Sequence, residues 1–105
     1  MDKPNLDYIK ELSGDDTEFE QQFINILKTE FPEEVKTYKK AITEVNFYDA
    51  AQIVHKIKHK FNILSMTNAY ALAVVFEEEL NAENVHRDSE FLEVLKIVET
   101  YLKSI

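Results

Sequence analysis

The chain has 105 residues, enough for one small domain and no second core. It has no cysteine, one glycine and two prolines. That excludes disulfides, Cys-based zinc and iron–sulfur sites, a cysteine nucleophile, and the glycine-rich loops that cradle nucleotide phosphates. A formal charge of −8 repels phosphate backbones and anionic membrane surfaces, so neither nucleic acid nor membrane is an expected partner. The longest apolar run, about residues 69–76, is far short of the roughly 20 residues a membrane helix needs. The N-terminal residues carry no apolar stretch that would read as a signal peptide, so the cytoplasm is the expected location.

Low glycine and proline with abundant Glu, Lys, Leu and Ala favours helices throughout. Leu6, Ile9 and Leu12 mark a short first helix, ended by Gly14. Asp15 or Asp16 is the expected N-cap of the next. From there Phe19, Phe23, Ile26/Leu27 and Phe31 recur at three and four residues, and the series continues in register through Val35, Tyr38, Ile42 and Val45. Pro32 interrupts it and predicts a kink or a split into two nearly continuous helices. Asn46 reads as a turn residue and N-cap. The next helix spans about residues 47–63, with Ala50, Val54, Ile57, Phe61 and Leu64 as its apolar stripe. A break near residues 65–67 leads to a fourth helix marked by Ala69, Leu72, Ala73, Phe76 and Leu80. Residues 81–88 are polar and read as a loop. The last helix covers about residues 88–103, with Phe91, Leu92, Leu95, Val98 and Leu102 inward. No strand alternation and no internal repeat is visible. The expected fold is all-α: an antiparallel four-helix bundle with a short extra N-terminal helix, a single domain over residues 1–105.

Chemistry concentrates on the third major segment. On a helical wheel His55 lies roughly 130° from the middle of the apolar stripe. His59 follows one turn later, and Gln52 and Asn62 share the same wet strip. Between Asn46 and Ala73 the only acid is Asp49, while Lys56, Lys58 and Lys60 crowd the histidine. Lys58, at i+3, is a surface neighbour of His55. An ammonium there stabilises a phosphoryl group carried on the ring and favours neutral imidazole, leaving a ring nitrogen free as a nucleophile. Against this stands the common case of a solvated surface histidine on a lysine-rich face. The i, i+4 spacing of His55 and His59 also suits a shared metal, with Glu77 or Glu78 as a further ligand. His86 falls in the polar loop and reads as surface.

Residues 51–65, AQIVHKIKHKFNILS, resemble the signature of histidine-containing phosphotransfer (HPt) domains. That family shows a histidine, an apolar residue two later, a lysine three later, usually a small residue four later and often a glycine ten later. His55, Ile57 and Lys58 match. So do Phe76-Glu77, the turn at Asn46-Phe47 and the Phe31-Pro32-Glu33 segment, and the likeness covers nearly the whole chain. Two positions depart from the pattern: His59 stands where the small residue is usual, and Ser65 where the glycine is.

The resemblance implies a phosphorelay intermediate. His55 would accept a phosphoryl group from a receiver-domain aspartyl phosphate and pass it to another receiver aspartate. Lys58 would steady the phosphoryl oxygens, and Glu77 would orient the imidazole or lie beside it. Gln52, Lys56, His59 and Asn62 would meet the partner. The partners implied are response-regulator receiver domains and a hybrid histidine kinase. Mg²⁺ is expected on the receiver, with no cofactor of this chain's own, no autokinase machinery, and a monomeric carrier. The rivals are an interaction-only helical bundle and the metal-binding bundle.

Overall fold

The computed structural model describes residues 2–105. Five helices follow in order: α1 (Asp7–Ser13), α2 (Thr17–Thr43), α3 (Phe47–Ile63), α4 (Thr67–Asn81) and α5 (Asp88–Ser104). Among the described residues there is no strand, and no helix is long and apolar enough to cross a membrane.

Local chemistry sets the helix starts. The Asp16 carboxylate accepts from the Phe19 N–H at 3.0 Å, and Asn46 Oδ1 accepts from the Asp49 N–H at 3.0 Å. Asn46 Nδ2 also donates to the Asp49 carboxylate at 2.8 Å, which closes a reciprocal cap on α3. Met66 precedes α4 and cannot cap it. Asp2 does so from the N-terminal segment, accepting from the Ala69 N–H at 2.8 Å.

Three helices end on one device. After α2, α3 and α4 the chain turns through Val45, Ser65 and Glu83, whose φ values are +55°, +63° and +63°. In each turn the next N–H reaches back to a carbonyl five residues earlier: Asn46 to Ala41, Met66 to Phe61 and Asn84 to Glu79. This closing bond satisfies carbonyls that a helix end would orphan, and glycine is the residue most often found there. None of the three is glycine, so each turn holds an L-residue in the left-handed region.

Pro32 does not split α2, which runs unbroken for 27 residues. Both Pro32 and Lys28, whose carbonyl loses its helical partner, are exposed residues, on the side of α2 away from the core. At about 1.5 Å per residue α2 is about 40 Å long, and it outruns neighbours of 15 and 17 residues. The surplus explains one departure from the expected stripe, the exposed Phe19; of the pair Ile26/Leu27 it is Leu27 that turns inward, beside the buried Ile24, while Ile26 faces solvent. Val45 is exposed because it belongs to the turn, not the helix.

The core gathers an aromatic from each long helix: Tyr38, Phe61, Phe76 and Phe91, all fully buried. Phe91 is the hub, with ring centroids 5.0 Å from Tyr38, 5.2 Å from Phe76 and 5.9 Å from Phe61. The Tyr38 hydroxyl donates to the Asp88 carboxylate at the start of α5. Burial, then that carboxylate, pushes the phenol well above its ordinary range. With this core beneath it, α3 lies between α4 on one flank and α2 on the other.

Candidate functional site

The apolar stripe of α3 is buried as its spacing dictates, with Ala50, Val54, Ile57 and Phe61 fully enclosed. That fixes the rotation of the helix and turns Gln52, His55, Lys56, His59 and Asn62 outward, all exposed. The His55 side chain is 51% exposed.

Across from it, α4 supplies Glu77, next to the buried Phe76. His55 Nδ1 lies 2.9 Å from Glu77 Oε1, and Lys58 Nζ lies 3.0 Å from Glu77 Oε2. A carboxylate paired with an ammonium only accepts, so the imidazole donates through Nδ1–H. In the neutral ring the lone pair then sits on Nε2. Among the described residues, the hydrogen bond of His55 uses Nδ1 alone. The free nitrogen is on the exposed ring of a side chain clamped at its other end.

Lys58 departs from the expectation of a wet neighbour. Its side chain is only 13% exposed, and its charge is engaged by Glu77. Lys60 is likewise not available to His55. It faces α2, with Nζ 2.8 Å from Glu30 Oε1 and 3.5 Å from Glu34 Oε2. Of the three lysines, Lys56 makes none of these ion pairs. The positive cluster suggested by the sequence is therefore largely matched by acids from other helices.

Sequence reasoning missed this second network. Between α2 and α3 runs an open groove of about 690 Å³ whose charged lining includes Glu30, Glu33 and Glu34 against Lys56, His59 and Lys60. The hydrogen bond and charge of Lys60 hold Glu30 below the ordinary carboxylate range. Burial raises Glu34 above it, with Lys60 pulling the other way, and Glu34 Oε1 has no hydrogen-bond partner. A sequence signal existed: Glu30 and Glu34 are one turn apart on α2. Their shared partner, Lys60, lies 30 residues from Glu30 along the chain.

His59 joins the two regions. It lines the groove, and its ring meets His55 edge to face, with centroids 5.1 Å apart and planes at 85°. Gln52 and Lys56 line a shallow recess beside Thr37 and Asp49. Asn62 and Glu78 are exposed, and so is His86, in the loop before α5. Among the described residues no three His, Asp or Glu side chains assemble as a metal-ligand group, so the proposed set of His55, His59 and Glu77 or Glu78 is not formed.

No family model matches the chain, and no curated protein or solved structure matches it.

Proposed function

We propose that this chain is a phosphocarrier of the HPt kind, an antiparallel four-helix bundle with a short N-terminal helix that relays a phosphoryl group through His55. One observation carries the reading: an exposed imidazole whose Nδ1–H is tied to Glu77, while the same carboxylate holds Lys58. That arrangement fixes the tautomer, leaves Nε2 as the nucleophile and places an ammonium within the site.

The chemistry follows. Nε2 attacks the phosphorus of a receiver's aspartyl phosphate, the aspartate carboxylate departs with the P–O electron pair, and a P–N bond forms. Transfer onward is the reverse reaction on a second receiver. The receiver brings the Mg²⁺ that neutralises the migrating group. This chain contributes the oriented nucleophile and Lys58. Gln52, Lys56, His59 and Asn62 surround His55 as the docking surface. A cytoplasmic monomer serving receiver domains and a hybrid kinase fits this role.

The test incubates the protein with a panel of phosphorylated receiver domains. Acid-labile, base-stable label is expected on the wild type and none on His55→Gln, whose helical circular dichroism stays unchanged because the site is on the wet face. Label persisting on His55→Gln overturns the assignment. No label on the wild type from any receiver favours the interaction-only bundle.

A further inference from the structure

The group that clamps His55 is a carboxylate, and its charge has a consequence for the phosphorylated state. A phosphoryl group on Nε2 can leave in two ways. If Nδ1 keeps its proton, the P–N bond breaks with its electron pair returning to Nε2, and the departing group is a neutral imidazole with its hydrogen on Nδ1. If Nδ1 has lost its proton, the departing group is an imidazolate anion, a far poorer leaving group. Discharge therefore depends on keeping Nδ1 protonated while Nε2 carries phosphate.

Glu77 Oε1 sits 2.9 Å from that nitrogen. A carboxylate accepting from a protonated ring makes a charge-assisted hydrogen bond, roughly twice as strong as one to a neutral acceptor. Glu77 is 22% exposed, so its field is only partly screened. The other charges facing His55 do not replace it. On α3, Lys58 is engaged by the second oxygen of Glu77, and His59 and Lys56 are exposed. On α4, Glu78 is exposed. From α2, Glu30, Glu33 and Glu34 border the groove at His59, with Lys60 between Glu30 and Glu34.

We propose that Glu77 is a positioning residue that holds phosphorylated His55 in its Nδ1-protonated form, making this chain a rapidly discharging carrier at and above neutral pH. The proposal rests on the phosphocarrier reading. In hydrolysis, the simplest discharge, water attacks phosphorus, the Nε2–P bond breaks, and inorganic phosphate leaves with the ring neutral and protonated on Nδ1.

Potassium phosphoramidate phosphorylates imidazoles without a partner protein, so it separates this inference from the receiver assay. The full-length protein is labelled this way, the label is located by mass spectrometry, and its half-life is followed from about pH 6 to about pH 9. Wild type and Glu77→Gln should discharge alike at the acid end, where both rings are protonated. At the alkaline end Glu77→Gln should hold its phosphate about fivefold longer, the loss expected when a charge-assisted bond becomes a neutral one. Lys58→Met keeps the carboxylate and should retain the wild-type shape of the pH profile. Superimposable profiles for wild type and Glu77→Gln overturn the proposal, as does faster discharge of Glu77→Gln. A Lys58→Met profile identical to that of Glu77→Gln assigns the effect to the lysine and also overturns it. Failure of phosphoramidate to label wild-type His55 overturns it too, since Nε2 is then not free. A protein that labels chemically with the expected profiles but takes no phosphate from receivers loses its relay role while Glu77 keeps this one.

Discussion

The two flanks of α3 use the same pair of residue types in opposite proportions. Toward α4, one carboxylate, Glu77, is shared between a lysine and an imidazole. Toward α2, one lysine, Lys60, is shared between two carboxylates. The first arrangement balances its charge and leaves a ring nitrogen free in solvent. The second is one charge short, and Glu34 keeps an oxygen without a partner. The α4 flank therefore has the chemistry of an oriented nucleophile. The α2 flank is a structural clasp whose imperfection shows in the raised Glu34 carboxyl. Two lysines two residues apart on one helix have different roles because the neighbouring helices present different acids.

The largest effect that would break this contrast lies on the clasp. Lys60→Met removes the ammonium and leaves Glu34 ionised where little water reaches it. Lys60 and Glu34 are each 13% exposed, so the loss should be about 2 kcal/mol at neutral pH, below the 3–5 kcal/mol of a fully buried broken pair. The sign with pH is fixed. Glu34 titrates higher in the folded state, so the fold favours its protonated form, and the associated stability is present in acid and lost as pH rises through the folded value. Glu30 titrates lower, so its pairing with Lys60 stabilises above the unfolded value and is lost as pH falls. Without Lys60 to pull it down, Glu34 titrates higher still in Lys60→Met, so the variant gains more on acidification while the wild type loses its Glu30 pairing, and the gap between them shrinks. Thermal melts near neutral pH and at the bottom of the carboxylate range read this directly. A gap that stays constant assigns the loss to the lysine stem and removes the clasp's electrostatic role.

The helices and the wet position of His55 were legible in the sequence, because both follow from apolar spacing on single segments. The caps were legible from residue type at the helix starts, Asn46 singly and Asp16 as one of the two candidates with Asp15. Whatever depended on a partner far along the chain was not. The lysine cluster around His55 looks uncompensated in sequence, yet Glu77 lies 19 residues from Lys58 and Glu30 lies 30 from Lys60. The exposure of Phe19 was hidden because periodicity reports a face without reporting how far the neighbouring helices extend. Ser65 is an intermediate case. Its place in the HPt-like pattern pointed to a glycine position, and its φ of +63° shows why glycine suits it.

The turns that set the two flanks offer a smaller effect. Val45 leads from α2 into α3, and Ser65 leads from α3 into α4. The left-handed region costs an L-residue about 1–2 kcal/mol, and the greater freedom of glycine in the unfolded chain offsets part of any gain. Val45 is β-branched, the worst type for such a position, and 64% exposed, so little packing is lost with its side chain. Val45→Gly should stabilise by about 1 kcal/mol, and Ser65→Gly by roughly half as much. Urea denaturation measures both. Ser65→Gly should leave phosphotransfer from receivers unchanged, because the turn places α4 without touching Glu77. A changed rate would mean that the strained turn itself sets the spacing between His55 and Glu77.

The smallest effect on stability concerns His59, which belongs to both flanks. It lines the groove and meets the His55 ring edge to face. If it is only a bulky neighbour, removing it eases the approach of a receiver, and transfer stays the same or quickens. If its ring contacts the phosphoryl group or the partner, removing it slows transfer. The geometry favours the second outcome, since a neutral imidazole donates from one nitrogen and accepts at the other. Lys58 and Lys60, committed to Glu77 and to the α2 acids, leave room for another donor. One neutral hydrogen bond is worth about 1 kcal/mol, so His59→Ala should slow transfer roughly fivefold. Alanine is the better helix former and His59 is exposed, so the melting temperature should hold or rise slightly. That separates a rate effect from a folding effect. His59 should not take over as phosphoacceptor, because the Glu77 clamp is on His55 and the residue at i+3 from His59 is Asn62. Transfer from a receiver that is as fast in His59→Ala as in wild type confines His59 to the groove and leaves the chemistry to the α4 flank alone.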